Sequence, residues 1–227
     1  MNKTHIIKDY LINTLDSIVA FFYPSRCPYC FCIIENDEYA CKDCKDDMPP
    51  HGVFQGVMGG YRCCAPFVYD GKFREALLLF KFSRKKQYAK AFARVMYEQI
   101  QKSYPDYIFD YITYVPMYKK DEKKRGFNQS RLLAKELSKL MKIRCCNTLI
   151  KTKHTSPQHS LEGKERLKNL KGAFKIVDKS LVKGKHILIV DDVITTGSTL
   201  FECCKTLEKG KPAQICCATL LSTARLY

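Results

Sequence analysis

Ile187-Leu-Ile-Val-Asp-Asp-Val-Ile-Thr-Thr-Gly-Ser-Thr199 is the stretch on which the reading of this chain turns. A short continuous apolar run, from His186 to Val190, has the character of a buried strand. It delivers two carboxylates, Asp191 and Asp192, at its C-terminal end. In open α/β sheets that end is where ligands bind. A turn of Thr195, Thr196, Gly197, Ser198 and Thr199 then leads into a helix. The first N–H groups of a helix lack intrahelical partners, and the helix dipole adds positive potential there. Three threonine hydroxyls and one serine hydroxyl add donors, and Gly197 lets a ligand approach the backbone. The turn therefore has the makings of a phosphate cradle. An acidic pair beside it suits sugar hydroxyls, which donate to carboxylates. Together the residues predict a site for a ribose 5-phosphate unit, with hydroxyls on Asp191 and Asp192 and phosphate on Thr195 to Thr199.

Outward from this stretch, strand-like and helix-like segments alternate. Tyr61 to Tyr69 is apolar and ends at the turn signal Asp70-Gly71; Phe73 to Phe80 and Lys90 to Gln101 look helical. Tyr111 to Val115 is a short β-rich run stopped by Pro116. Gln129 to Lys142 carries Leu132, Leu133, Leu137, Leu140 and Met141 at helical spacing. Ser198 to Lys209 reads as a helix, with Gly210 placed to end it in a left-handed cap. Ala213 to Leu221 is a last strand. Such alternation predicts an α/β domain with a largely parallel sheet flanked by helices. The division expected is an amphipathic helix over 1–23, a small cysteine-rich module over 24–55 and the α/β domain over 56–227.

The chain has 227 residues and 13 cysteines. Five cysteines crowd between Cys27 and Cys44, and the other eight form adjacent pairs: Cys63-Cys64, Cys145-Cys146, Cys203-Cys204 and Cys216-Cys217. Cys27-x-x-Cys30 and Cys41-x-x-Cys44 are two knuckles whose four thiolates suit structural Zn²⁺, with an iron–sulfur cluster as the lesser alternative. Cys32 is an extra sulfur that could replace one ligand. Neighbouring cysteines seldom bond to each other, so the pairs read as small buried hydrophobes. With no secretory signal in view, these thiols predict a reducing, cytoplasmic setting. No run of about 18 apolar residues is present, so no spanning helix is expected. Ile7, Leu11, Leu15, Ile18 and Phe22 lie at helical spacing; a helix packed on the protein body is favoured over peripheral contact with the inner face of a membrane.

Lysine and arginine number 39 against 23 aspartates and glutamates, a formal charge of +16. That excess suits polyanions such as nucleic acid, phosphorylated metabolites or an acidic membrane surface, and it also suits plain solubility. Lys119, Lys120, Lys123, Lys124 and Arg125 form a dense basic loop after a strand. Arg125, beside Gly126, is its best candidate for holding a pyrophosphate.

Residues 187–199 resemble the PRPP signature of the type I phosphoribosyltransferases at essentially every position. The likeness extends along nearly the whole chain, in order, to the ComF (competence protein F) family. It rests on Lys81 at the end of Leu77 to Phe82, on Tyr114-Val-Pro116, on Arg125-Gly-Phe-Asn-Gln129 and the helix with Leu133-Ala134, and on Thr155-Ser-Pro-Gln158, Leu161, Arg166 and Asn169. The resemblance implies a phosphoribosyltransferase-like fold behind an N-terminal zinc ribbon, and a role with incoming DNA in natural transformation. It implies PRPP as ligand, with Mg²⁺ accompanying it. It places Asp191, Asp192, Thr195 to Thr199 and Lys81 at that ligand, and the polar stretch Lys151 to Arg166 as a mobile lid. Where the family commonly has arginine near the start of that stretch, this chain has Lys151 and Lys153. Two functions follow as expectations: an accessory factor for DNA uptake that handles single-stranded DNA, with DNA-uptake proteins as partners, or a transferase acting on a nucleobase-like acceptor with release of pyrophosphate.

Overall fold

The computed structural model describes residues 24–35, 38–49, 54–83, 85–155 and 169–223. The helix expected over 1–23 lies outside them. The chain separates into two compact units, Met1–Asp47 and Met48–Tyr227.

In the first unit, Arg26 and Ile33 form an antiparallel bridge. It closes a tight loop in which the Phe31 N–H donates to the Cys27 carbonyl (2.9 Å) and the Cys27 N–H to the Cys32 carbonyl (2.9 Å). The turn closes through a left-handed backbone at Phe31, φ 66°. A short helix, α1 (Lys42–Asp46), follows the second knuckle. Its N-cap is Cys41, whose sulfur accepts from the Cys44 N–H at 3.4 Å.

The second unit is built on a seven-stranded sheet. Strand β1 (Phe54–Met58) turns back antiparallel into β2 (Tyr61–Ala65) through Gly59-Gly60. Both glycines have positive φ, 56° and 95°, the conformation that two-residue hairpin turns require. A residue pair follows as β3 (Phe67–Val68), then helices α2 (Gly71–Phe82) and α3 (Tyr88–Ser103). Next come β4 (Tyr111–Tyr114), α4 (Lys119–Arg125), α5 (Gln129–Met141), β5 (Arg144–Cys145), and the two-stranded antiparallel ribbon β6 (Leu149–Lys151) and β7 (Phe174–Ile176). The chain ends with β8 (His186–Ile194), α6 (Ser198–Glu208) and β9 (Gln214–Ser222). The strand order is β1-β2-β9-β8-β4-β5, with β3 also on β9, and every pairing except β1–β2 is parallel.

The central strands β8 and β9 are buried on both faces, which is why they read as unbroken apolar runs. Ile187 and Ile189 face Leu200, Cys203, Cys204 and Leu207 of α6. Alternation sends Leu188 and Val190 to the other face, where α3 and α5 pack together and on the sheet. The paired cysteines of β2, α6 and β9 are buried here, and no cysteine among the described residues is in a disulfide.

The structure corrects two expectations. Lys119 to Arg125 is helix α4, not a loop. The segment has no apolar periodicity to betray it. It is nevertheless made of strong helix formers, with Asp121 and Glu122 in its first turn, Lys123, Lys124 and Arg125 in its last, and Gly126 capping it at φ 87°. At the end of α6, the left-handed residue is Lys211 (φ 57°), not Gly210. Gly210 answers to crowding: a β-carbon there would sit 2.7 Å from Val182 Cγ1. No described helix is long and apolar enough to cross a membrane.

Candidate functional site

Strand β8 runs past the apolar core and carries Asp191 and Asp192 towards its C-terminal end, still in register with β9 (Asp191 opposite Thr219). The two acids find different partners. Ser130, in the first turn of α5, donates its hydroxyl to Asp191 Oδ1 at 2.6 Å, and the Asp192 N–H donates to the same oxygen at 2.9 Å. Lys81, in the last turn of α2, places Nζ 2.9 Å from Asp192 Oδ1. Crowding by protein atoms, and after it the adjoining Asp192 charge, pushes the Asp191 carboxyl up to about 7; the Ser130 hydroxyl, the Asp192 N–H and Lys81 pull the other way.

Four residues on, the phosphate turn begins. Thr195 and Thr196 are exposed, Gly197 and Ser198 are buried and Thr199 is half-buried. Gly197 is the N-cap of α6 with φ 73° and ψ −4°. The Thr196 and Ser198 hydroxyls lie 2.8 Å apart, and the Ser198 N–H donates to Thr196 Oγ1 at 3.4 Å. No acidic residue occupies the first turn of α6, so nothing there offsets the positive end of the helix dipole. A β-carbon on Gly197 would lie 2.4 Å from Met58 Sδ, at the tip of the β1–β2 hairpin. Glycine is required at this position on both counts.

Arg125 ends α4. Its Nη1 donates to Gln129 Oε1 at 3.1 Å, and its guanidinium lies over the Phe82 ring, 5.3 Å from the centroid. A closed circuit of contacts results: Asp191 to Ser130, Gln129 to Arg125, Arg125 to Phe82, and Lys81 back to Asp192. Asp191, Asp192, Lys81 and Arg125 are thus brought together around one site. Within the circuit the Gln129 side chain is buried, and its Nε2 has no hydrogen-bond partner. A buried amide donor without a partner is costly, which makes it a natural contact for a ligand. Phe82, Gln129 and Ser130 were not among the sequence candidates. Gln129 belongs to the run from Arg125 that the sequence does single out. Nothing marks Ser130, which meets Asp191 from 61 positions away.

The ribbon β6–β7 carries the start of the expected lid. Burial pushes the Lys151 amine down in pKa, and that amine lies over the Phe174 ring at 5.8 Å. His154 Nε2 is 3.2 Å from Asp121 Oδ1 in α4, with the Tyr118 ring edge-on to the imidazole. This root of the polar stretch is therefore docked on the helix that ends in Arg125. Residues 156–168 lie outside the described set.

In the N-terminal unit, the sulfurs of Cys27, Cys30, Cys41 and Cys44 all lie within 4.8 Å of one another. Tetrahedral Zn²⁺ with bonds of about 2.3 Å places its sulfurs about 3.8 Å apart, so the set fits the ion with small adjustments. Cys27 and Cys44 are buried and Cys30 is exposed. The N–H of Cys32 is the largest of the influences that hold the Cys30 thiol down at about 6, the direction a metal-binding thiolate needs. Cys32 brings its sulfur 3.4 Å from that of Cys30 but stays outside the four-sulfur set. A set of four protein sulfurs leaves no open position for a substrate, so the zinc is structural.

Residues 127–226 match the phosphoribosyl transferase domain model. DNA utilization protein YhgH of Escherichia coli K12 is 30% identical over 193 residues, 83% of this chain and 80% of that one. Competence protein F of Haemophilus influenzae is 37% identical over 135 residues, 57% of this chain and 59% of that one. Competence protein ComFC of Bacillus subtilis is 32% identical over 156 residues, 68% and 62% of the two chains. An adenine phosphoribosyltransferase of known structure superposes with a TM-score of 0.42 at 15% identity, over 65% of this chain and 75% of that one. With a transferase-type domain on a mostly parallel sheet, a four-cysteine cluster ahead of it and these relatives, the chain belongs to the family of the competence F and YhgH proteins.

Proposed function

We propose that this chain binds a phosphoribosyl ligand such as PRPP, and that it does so as an accessory factor in the handling of single-stranded DNA during uptake. The observation that carries the first part is the acidic pair at the end of β8, held by Ser130 and Lys81 and followed directly by the glycine-capped turn into α6. In this reading Asp191 and Asp192 accept from the ribose hydroxyls. The N–H and hydroxyl groups from Thr195 to Thr199 take the 5-phosphate. Arg125 is placed to meet the pyrophosphate arm. Mg²⁺ arriving with PRPP takes oxygen ligands and lowers the charge of the pyrophosphate. Lys81 compensates one of the two carboxylates, so a polyanionic ligand is not repelled by the full charge of the pair. The second part draws on the relatives named for DNA utilization and competence, and on the +16 charge.

Calorimetric titration of PRPP into the zinc-loaded protein, with and without Mg²⁺, tests the pocket. Saturable binding is expected, and Asp191→Asn with Asp192→Asn is expected to abolish it in a protein that still folds. Unchanged affinity in the folded double variant would overturn the ribose assignment. Single-stranded DNA binding should fall steeply with salt, because each neutralised phosphate releases counterions. A salt-independent affinity would remove the electrostatic basis for the DNA role. The second reading, transfer to a nucleobase-like acceptor, draws on the same acidic pair and turn. Release of pyrophosphate on adding a base to the PRPP-loaded protein would establish it.

A further inference from the structure

The geometry points to a base-stacking subsite beside the phosphoribosyl pocket, formed by the Phe82 ring and the Arg125 guanidinium, that takes the nucleobase of a ribonucleoside 5′-phosphate. This rests on the phosphoribosyl reading above and names the class of ligand that fills the rest of the site.

Phe82 is 67% exposed at the C-terminal end of α2. A single exposed apolar residue is ordinary on a protein surface. Its surroundings make this one informative. Lys81, the residue before it, reaches Asp192 at 2.9 Å, so the ring stands one residue away from the acidic pair. Arg125 covers one face of the ring at 5.3 Å and is itself fixed by Gln129. With one face taken, the exposure that remains comes from the other face and the ring edge. The mount is firm: Phe80, two residues earlier, is fully buried and packs on buried Phe127 at 5.6 Å, which ties the end of α2 to the turn after Arg125. A rigid, open aromatic face next to an arginine is the combination that stacks bases.

The occupant follows from its neighbours. A phosphate at the α6 turn and a ribose at the carboxylates leave the group on the anomeric carbon as the one still unplaced, and in a nucleotide that group is a flat base. The carboxylate pair is matched to two ribose hydroxyls. Deoxyribose offers one fewer donor, so a ribonucleotide fits better than a DNA strand.

The absence of tryptophan from the chain makes the test direct. F82W introduces a single indole where the base is placed. Adenosine 5′-monophosphate, its 2′-deoxy counterpart and ribose 5-phosphate are titrated into wild type, F82W and F82A. Adenosine 5′-monophosphate is expected to quench the indole of F82W, and ribose 5-phosphate is not. F82A is expected to weaken adenosine 5′-monophosphate by about 5- to 100-fold, the usual worth of one stacked base, and to leave ribose 5-phosphate unchanged. If ribose 5-phosphate binds and F82A leaves the nucleotide affinity intact, the base subsite is overturned and the pocket stands. If the nucleotide binds through Phe82 while ribose 5-phosphate does not bind, the subsite stands and the pocket reading falls. Binding of neither overturns both. Equal affinity for the deoxy compound would overturn the ribonucleotide assignment.

Discussion

Lys81 and Asp192 meet at 2.9 Å from the end of one helix to the end of one strand, with side chains only 15% and 11% exposed. The pair joins α2 to the sheet at the point where the ligand would sit. Removing the lysine leaves a largely buried carboxylate next to a second one. Lys81→Met should therefore destabilise the protein by about 1–3 kcal/mol, the range for stranding a buried polar partner. The check is the urea midpoint at constant slope. In an Asp192→Asn background the same substitution should cost much less, and an equal cost in both backgrounds would show that the contact contributes nothing.

Asp191 makes stability depend on pH. Its carboxyl is pushed up to about 7 in the folded protein, chiefly by the removal of water around it. In the unfolded chain an aspartate titrates near about 4. The folded state therefore binds a proton over this window that the unfolded chain has released. Its stabilising effect is complete below about pH 4 and is lost as pH rises through about 7. Between pH 5 and pH 8 wild type should lose stability relative to Asp191→Asn, whose amide does not titrate. Parallel urea midpoints for the two proteins across that range would remove the argument.

The parts of this fold that were legible in the sequence are those set by local composition. The runs ending at Val190 and Leu221 are apolar throughout because β8 and β9 are covered on both faces, and the acidic pair and threonine turn are contiguous. Helix α4 was not legible, because it has no buried residue to impose a periodicity. Gly210 misled because a glycine after a helix has two possible reasons, backbone freedom and lack of room. Here the reason is the contact with Val182, a residue of a different segment. The same limit applies to Ser130 and Phe82. A serine at a helix start and a phenylalanine at a helix end acquire meaning only when Asp191 and Arg125 are brought beside them.

Gly197 separates backbone strain from crowding. Alanine there must hold φ near 73° and displace Met58. The left-handed backbone costs about 1–2 kcal/mol for a residue with a β-carbon. Gly197→Ala should lower the thermal midpoint and weaken phosphate binding at the turn. Adding Met58→Ala should recover the part due to crowding and leave the backbone part. Full recovery would mean that the left-handed conformation is not needed at the start of α6.

The zinc set makes a prediction that spacing alone does not. Cys32 lies closer to Cys30 than Cys41 does, 3.4 Å against 3.5 Å between sulfurs, yet only Cys41 is within reach of all the others. Elemental analysis of freshly purified protein should find about one zinc per chain, since one four-thiolate set is present among the described residues. Cys32→Ser should retain it, whereas Cys41→Ser and the pair Cys27→Ser with Cys44→Ser should lose it. The described part of this unit has Tyr29 and Ala40 as its only buried apolar residues besides two of the ligands themselves, so little else holds it together. Metal loss should leave it open to proteolysis, as in small domains whose folding energy is metal-binding energy. The sheet unit has a core of its own and should resist the same protease treatment. Zinc retained in Cys41→Ser and lost in Cys32→Ser would reassign the fourth ligand to Cys32.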